Sequence, residues 1–351
     1  MRTIGFFLTA VVSAAVLLSC AAMPDVDRVA VAEVEEPVVE EVLVDVVTLF
    51  GHTEEGRGVD FSPCGRYLVS AGRDGKIIKW DVGSASMIWE IDDALGHRIN
   101  HVGFTPDGTR IVAAGDGSMI RTFDAETGAV LSELDGQEGN VRMMKVSPHG
   151  NYFAIGNDMG FARVYELDTY TLVFEEEFGY RVRALEWHPV DPEVIAFGVY
   201  DGYVRIYDFL AGDMLKFIDY QLTNLDMHDI AWTPCGKYLA YGGKRSEGEV
   251  FVWNEKYDTV EVIPGYDDED NPGRIRSLMW TPLNKGDYLV SAVDSPHVIR
   301  IFDRKDLQDE VAVLEGHMDE IRTVRVSPDG TKIASIADDM TVRIWTVNLK
   351  Y

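Results

Sequence analysis

The sequence has little cysteine and little positive charge. Three of its 351 residues are cysteine (Cys20, Cys64 and Cys235), and none forms the C-x-x-C spacing of zinc and redox motifs. Lys and Arg number 32 against 59 Asp and Glu, which gives a formal net charge of −27. Because nucleic-acid binding depends on cations that neutralise phosphates, the composition predicts no nucleic-acid partner. The acidity either keeps the protein soluble or attracts a cationic protein partner.

Motifs of catalysis and cofactor binding are also missing. The chain has no G-x-S-x-G, H-E-x-x-H, Walker A or complete EF-hand pattern. His97 and His101 are four residues apart, but they lie where a loop leads into a strand, so helical ligand spacing does not apply. We therefore predict no enzyme activity, no cofactor and no metal. The densest acidic segment, residues 267–271, is expected to be a solvated loop, with a Ca²⁺ site or a partner contact as alternatives.

The N-terminal apolar run, Ile4 to Leu18, follows the basic residue Arg2. Its roughly 15 residues are typical of a secretory signal peptide and fall short of the roughly 20 that a membrane-spanning helix needs. The run ends in Leu17-Leu18-Ser19-Cys20, which resembles the lipobox of bacterial lipoproteins. The resemblance implies a signal peptide over residues 1–19 and lipidation of Cys20.

The residue after the lipobox bears on location. Ala21 is not Asp, and by resemblance to Gram-negative lipoproteins this favours the outer membrane over the inner one. The alternative is an ordinary signal peptide cleaved after Ala21 or Ala22. Residues 21–41 carry seven acids, one Arg and two prolines, so we expect residues 20–41 to form an extended acidic tether.

One unit recurs seven times between Gly51 and Trp345, at intervals of 41 to 48 residues. Each unit predicts an inner strand, an S/T-P or H-P turn, two further strands and an aromatic residue. The residues directly before the turns anchor the repeats: Phe61, Phe104, Val146, Trp187, Trp232, Trp280 and Val326. The aromatic residues are Trp80, Phe123, Tyr165, Tyr207, Trp253, Phe302 and Trp345.

This pattern resembles the WD40 family, which has about 40–45 residues and four strands per propeller blade. The resemblance implies an all-β fold, a seven-bladed β-propeller over residues 42–351. The last repeat lacks an outer strand, because the chain ends soon after Trp345. We expect residues 42–49 to supply that strand and close the ring, which removes an unpaired sheet edge.

The resemblance also implies buried His–Ser–Asp–Trp hydrogen-bond networks. The matching residues are His52, Ser70, Asp74 and Trp80 in the first blade and His317, Ser335, Asp339 and Trp345 in the last. Ser, His and Asp together also suggest a hydrolase triad, but these recur at repeat positions without a nucleophile elbow, so we predict structural networks. In the fourth repeat Phe197 replaces the serine while Asp201 keeps the turn acid, so the middle blades are expected to rely on apolar packing.

Two cysteines replace the usual Asp in the turns of the first and fifth repeats. Four steps around a seven-fold ring place Cys64 and Cys235 nearly opposite each other, far beyond the ~7 Å Cα separation that a disulfide allows. Both are predicted to be free thiols.

The resemblance places partner binding on the face that carries the loops before the inner strands. Six residues before the anchors, three positions are arginine: Arg98, Arg181 and Arg274. Because arginine and tyrosine are favoured at interfaces, we predict that these arginines ring the channel mouth and receive an acidic group. The alternative is that they pair with neighbouring acids such as Glu320 or Asp226. Arg73, Tyr200 and Asp338, before the next turns, complete the candidate partner face.

The sequence therefore predicts a non-catalytic scaffold, a lipid-anchored propeller that binds a protein or peptide of the bacterial cell envelope. A propeller enzyme or a small-ligand-binding protein that uses the central channel is the alternative. A fold alone does not identify the ligand.

Overall fold

The structure is a computed structural model that describes residues 42–136, 138–219, 226–244, 248–265, 273–283 and 286–350. The predicted signal peptide, Cys20, the tether and the acidic segment 267–271 lie outside the described residues.

The described residues form seven four-stranded antiparallel sheets, the blades of a β-propeller. The chain starts with β1 (Leu43–Phe50). Blades 1 to 3 comprise β2 (Gly56–Phe61), β3 (Tyr67–Gly72), β4 (Ile77–Asp81), β5 (Ser86–Ile91); β6 (Ile99–Phe104), β7 (Arg110–Gly115), β8 (Ile120–Asp124), β9 (Val130–Leu134); and β10 (Val141–Val146), β11 (Tyr152–Asn157), β12 (Phe161–Glu166), β13 (Leu172–Glu177). Blades 4 and 5 comprise β14 (Val182–Trp187), β15 (Val194–Val199), β16 (Val204–Asp208), β17 (Asp213–Ile218); and β18 (Asp226–Trp232), β19 (Tyr238–Lys244), β20 (Val250–Asn254), β21 (Thr259–Ile263). Blades 6 and 7 comprise β22 (Ile275–Trp280), β23 (Tyr288–Val293), β24 (Val298–Asp303), β25 (Asp306–Leu314); and β26 (Ile321–Val326), β27 (Lys332–Ala337), β28 (Thr341–Val347) with β1.

Burial of the strands follows their position in the blade. The second strand is buried on both faces because neighbouring blades cover both, and β15 (VIAFGV) is buried throughout. The outermost strands are largely exposed, as in β5 (SMIWEI). The predicted anchors are the last residues of the seven inner strands, so the repeat boundaries are confirmed.

The ring closes as predicted. Strand β1 pairs antiparallel with β28, from Leu43 opposite Val347 to Phe50 opposite Thr341. The backbone N–H of Asn348 donates to the carbonyl of Val42 at 2.7 Å. Blade 7 therefore contains both ends of the described chain, and its inner strand β26 contacts β2 of blade 1.

The hydrophobic core lies between blades. Each of seven buried apolar clusters in the described residues joins two neighbouring blades. The cluster at the seam, for example, packs Val59 and Trp80 of blade 1 against Ile336 and Ile344 of blade 7. Stability therefore depends on the closed ring, because each blade buries its faces only against its neighbours.

The helical content of the described residues is one short 3₁₀ turn, Asp116–Ser118. No helix in this part of the chain has the length and apolar character needed to cross a membrane.

Candidate functional site

Each inner strand contains a β-bulge near its start. In blade 1 the pairing register slips between Gly56 and Gly58, so Arg57 is the extra residue, and the same slip occurs in the other six blades. A bulge redirects the side chain of the extra residue. These seven residues line one cavity at the ring's centre and are called here the bulge ring: Arg57, Asn100, Arg142, Arg183, His228, Arg276 and Arg322.

The cavity enclosed by the bulge ring has a volume of about 130 Å³. Arg73 and Arg325 join its five arginines, so seven guanidinium groups line the cavity. Asp229 is the one carboxylate residue in this lining among the described residues. The cationic excess is unexpected in a chain of net charge −27.

Carboxylates neutralise four of the five ring arginines. Several of these acids occupy one repeat position, the residue that ends or directly follows the second strand of the blade. The pairs are Arg57–Glu55 at 2.9 Å, Arg142–Asp158 at 3.0 Å, Arg276–Asp294 at 3.0 Å, Arg276–Glu320 at 2.8 Å, and Arg322–Asp338. The ring is therefore held in place by acids around it.

Arg183 is the exception in the bulge ring. The residue after the second strand of its blade is Tyr200, where blades 2, 3, 6 and 7 have Asp. The Arg183 guanidinium lies 5.9 Å from the centre of the Tyr200 ring, near the outer limit of a cation–π contact. No ion pair or hydrogen bond joins its side chain to another described residue. Among the described residues, no carboxylate thus neutralises the charge of Arg183.

Burial disfavours the charged state of the ring arginines. It lowers the pKa of Arg57 to about 10, with a further contribution from the charge of Arg322. Burial also lowers the pKa of Arg183 and that of Arg276. The Nε–H groups of Arg57 and Arg276 are buried and have no acceptor among the described residues. A buried donor without a partner costs about 1–3 kcal/mol, so the ring contains two unsatisfied donors that reduce its stability.

Two histidines in the cavity add no positive charge. Burial lowers the pKa of His101 to about 3 and holds the pKa of His228 well below its ordinary value of 6.5. Both are neutral at pH 7, and His228 accepts a hydrogen bond from Arg276 at Nδ1 over 3.2 Å. The positive charge of the cavity is therefore carried by its arginines.

A second cavity, also lined by inner-strand residues, has balanced charges. It has a volume of about 220 Å³ and contains Asp60, Lys145, Glu186 and Arg325. Lys145 pairs with Glu186 at 2.5 Å, and burial raises the pKa of Asp60 to about 6. This second cavity therefore does not share the cationic excess of the bulge-ring cavity.

The three arginines predicted to ring the channel mouth lie outside this cavity. Each directly precedes an inner strand, and Arg98 and Arg181 have exposed side chains. Their backbone carbonyls accept hydrogen bonds from the next turn, as in Asp116 N–H to Arg98 at 2.9 Å. Arg274 Nε lies 3.7 Å from Asp294, while Glu320, named as an alternative partner, binds Arg276 and Arg322 instead.

The other predicted face residues have different surroundings. Arg73 lines the cavity and pairs with Glu55. Burial raises the pKa of the Tyr200 hydroxyl, which hydrogen-bonds Asp226. The Asp338 side chain is 9% exposed and accepts two hydrogen bonds from Arg322, so it is not free to contact a partner.

The structure brings together both predicted four-residue networks. In blade 7, His317 Nδ1 lies 2.8 Å from Asp339, and its Nε2 lies 2.7 Å from Ser335 Oγ. Trp345 Nε1–H donates to the same Oγ at 2.8 Å. Blade 1 repeats the arrangement, with His52 between Asp74 at 3.0 Å and Ser70 at 2.9 Å, and Trp80 bonded to Ser70 at 2.9 Å. Each serine hydroxyl is hydrogen-bonded to both an indole and an imidazole, so these residues form structural networks.

Blade 4 uses other packing. Phe197, in place of the serine, is fully buried and stacks with Phe174 at a centroid distance of 6.0 Å. Asp201 binds Arg205 at 2.6 Å. Aromatic packing thus occupies the position of the network in blade 4.

The described residues contain two cysteines. Cys64 and Cys235 are not joined in a disulfide, as predicted. No group of three or more His, Cys, Asp or Glu side chains is suited to a metal ion in this part of the chain.

Sequence reasoning missed the bulge ring by two residues. Counting four residues back from each anchor finds all seven members, and five of the seven are arginine. The recurrence of arginine four residues before the anchors is the sequence signal for this ring, whereas the position six residues before the anchors lies in the loop that leads into the inner strand.

Comparisons with known proteins agree with the fold. The family described as WD domain, G-beta repeat matches residues 44–81 and 308–346. The family described as anaphase-promoting complex subunit 4 WD40 domain matches residues 83–147. The fold and these matches support the WD40 family for this all-β, seven-bladed chain.

Several curated proteins are similar over part of their length. The APC/C activator protein CDH1 of Saccharomyces cerevisiae is 26% identical over 166 residues, which is 47% of this chain and 27% of that protein. Human nucleoporin Nup37 is 34% identical over 131 residues, 32% of this chain and 37% of that protein. Eukaryotic translation initiation factor 3 subunit I of Lodderomyces elongisporus is 25% identical over 243 residues, which is 60% of this chain and 67% of that protein. The chain thus spans about a quarter to two fifths of the first two relatives.

Proposed function

We propose that this protein is a non-catalytic interaction scaffold whose bulge-ring face binds a protein or peptide partner. The observation that carries the proposal is the cationic mouth of the ring: exposed Arg98 and Arg181 flank a cavity lined by seven guanidinium groups. Arginine is favoured at interface centres because its planar fork binds acidic groups in two places at once.

The relatives support a role in assemblies. Their names describe an activator of the APC/C, a nucleoporin and a subunit of an initiation factor. Two serine–histidine–aspartate sets of this chain are engaged by tryptophan in structural networks, which favours binding over hydrolysis. We extend the assembly role to this chain as part of the proposal.

The location is also proposed from the sequence. A lipid on Cys20 would hold the propeller at a bacterial membrane, the outer one in preference to the inner, and residues 21–41 would act as the tether. Several acyl chains anchor stably where a single chain binds marginally, at ~0.8 kcal/mol per buried methylene. Mass spectrometry of the mature protein should find an acylated Cys20 at its N-terminus, and an unmodified N-terminus after residue 21 or 22 would contradict the anchor.

Crosslinking in intact cells tests the scaffold. The full-length chain should capture specific proteins, and an Arg98→Glu/Arg181→Glu double variant should capture them less. Arg66→Glu is the matched control, because Arg66 is an exposed arginine in the turn at the other end of β2. Equal capture by the double variant and the wild type would contradict binding through the bulge-ring face.

A further inference from the structure

The cavity inside the bulge ring has the composition of an anion site. Its lining holds seven arginine side chains and one aspartate among the described residues, although the chain as a whole is strongly acidic. Guanidinium groups carry five N–H donors each and match carboxylate and phosphate oxygens in bidentate geometry. The cluster is built into the fold, because each ring side chain is set by a bulge in its inner strand.

The ring has more donors than its own carboxylates use. Arg57 Nε and Arg276 Nε are buried without an acceptor among the described residues, and the Arg276 side chain is 10% exposed. Arg183 makes no ion pair in the described part of the chain, because Tyr200 stands where other blades supply aspartate. An anion in the cavity would meet guanidinium groups on opposite sides of the ring, from blades 1, 4 and 6.

Comparison of the blades indicates that an unpaired arginine in the ring is not needed for folding. In blades 3, 6 and 7 each ring arginine is paired with the aspartate of its own blade. In blade 4 the arginine is kept while its aspartate is replaced by Tyr200, and in blade 1 that position is Arg73. Two blades therefore add positive charge to a cavity that already concentrates it, which lowers stability unless an anion binds.

We propose that the bulge ring binds a compact oxyanion with two or more negative charges, held chiefly by Arg183, Arg57 and Arg276. The cavity volume of about 130 Å³ admits a group of a few heavy atoms and excludes a folded element. The anion is either free in solution or is the acidic group of a bound protein. The anion site deepens the proposed function. It rests on that function only if the anion is the acidic group of a bound protein.

Titration calorimetry of the full-length protein tests the site with two probes, inorganic pyrophosphate and a capped tetraglutamate peptide. At low salt, where screening is weak, we expect saturable binding of at least one probe with a Kd below about 1 mM. Arg183→Gln should weaken it about tenfold or more, as should Arg57→Gln, because each removes charge-assisted hydrogen bonds. Tighter pyrophosphate binding would identify a free anion, and tighter peptide binding an acidic group on a protein.

Arg66→Gln is the matched control, since it removes the same charge from an exposed arginine outside the cavity. It should bind both probes like the wild type. Arg183→Gln should also melt at or above the wild-type temperature, because it removes a desolvated charge without a carboxylate partner, so weaker binding would not reflect unfolding.

The proposal is overturned if neither probe binds at about 5 mM, or if Arg183→Gln and Arg66→Gln reduce binding equally. If neither probe binds but crosslinked cells still show partner capture, the scaffold role is correct and the anion site is not. Conversely, saturable pyrophosphate binding without any captured protein would retain the anion site and contradict the scaffold. The two failures are therefore distinguishable.

Discussion

Replacing Ser335 by alanine tests the network at the ring's seam. The Ser335 side chain is fully buried, and its hydroxyl oxygen accepts from Trp345 Nε1–H at 2.8 Å. Its hydrogen points to His317 Nε2 at 2.7 Å, because the imidazole Nδ1–H donates to the Asp339 carboxylate. Alanine would leave one buried donor and one buried acceptor without partners.

The expected loss of unfolding free energy follows from the unsatisfied Trp345 N–H donor and His317 nitrogen acceptor. Each costs about 1–3 kcal/mol when left unsatisfied, so Ser335→Ala should lower the free energy of unfolding by about 2–6 kcal/mol. With an unfolding entropy of ~2.1 cal/mol/K per residue, a propeller of about 310 residues should lose about 3–9 °C of melting temperature. Differential scanning calorimetry of the full-length chain measures this shift.

Blade 6 offers a matched control. Ser291 occupies the same position in β23 and is 1% exposed, but its hydroxyl has no hydrogen-bond partner among the described residues. The aromatic residue of that blade is Phe302, which has no N–H to donate. Ser291→Ala should therefore change the free energy of unfolding by less than about 1 kcal/mol, or raise it. Equal losses in Ser335→Ala and Ser291→Ala would refute the network as a source of stability.

Three further predictions concern the closing strand, the pH dependence of stability and the reactivity of the thiols. Deleting residues 42–49 should lower the melting temperature more than Ser335→Ala does, because it exposes the edge of β28; an unchanged melting temperature would contradict the closure. Burial alone would raise the pKa of Asp339, but hydrogen bonds from His317 and from a backbone N–H outweigh it and lower that pKa, so its stabilisation is present above its unfolded pKa and is lost as the pH falls toward the folded value. The urea midpoints of wild type and Asp339→Asn should thus differ most near pH 6 and begin to converge as the pH falls below about 4; a pH-independent difference would count against it. Cys64 is exposed and a hydrogen bond from Ser62 lowers the pKa of its thiol, so iodoacetamide should modify it faster than Cys235 in the native protein, and Ser62→Ala should slow the reaction; equal rates would be inconsistent with this assignment.

The fold could be predicted from the sequence because the repeat is local. Each S/T-P or H-P turn ends an inner strand, and turn chemistry depends on a few adjacent residues. In these turns Gly65 and Gly330 have φ values of 70° and 69°, a conformation that glycine adopts without strain. Seven repetitions gave the number of blades, and the missing outer strand after Trp345 located its replacement at residues 42–49, one residue from the observed Leu43–Phe50.

The candidate site could be predicted only in part. Sequence reasoning found that arginine recurs at one repeat position in an acidic chain, and it placed these arginines at Arg98, Arg181 and Arg274. In the structure the cavity is lined by the residues two positions further along, such as Arg183 and Arg276. The difference arises from the bulge, which breaks the alternation of side chains along the strand, so that a simple two-residue period does not tell which side chain reaches the channel.

The sequence by itself determined the seven blades, the closing strand and the members of the two buried networks, because each depends on residues at constant spacing within one repeat. Only the tertiary structure decided which charges remain without a partner. Among the described residues Arg183 is the ring arginine without a carboxylate partner, and the positive charges around it come from other blades, including Arg142 and Arg276. Electrostatic neutralisation depends on distance and burial in the closed ring, and neither is visible in the order of residues.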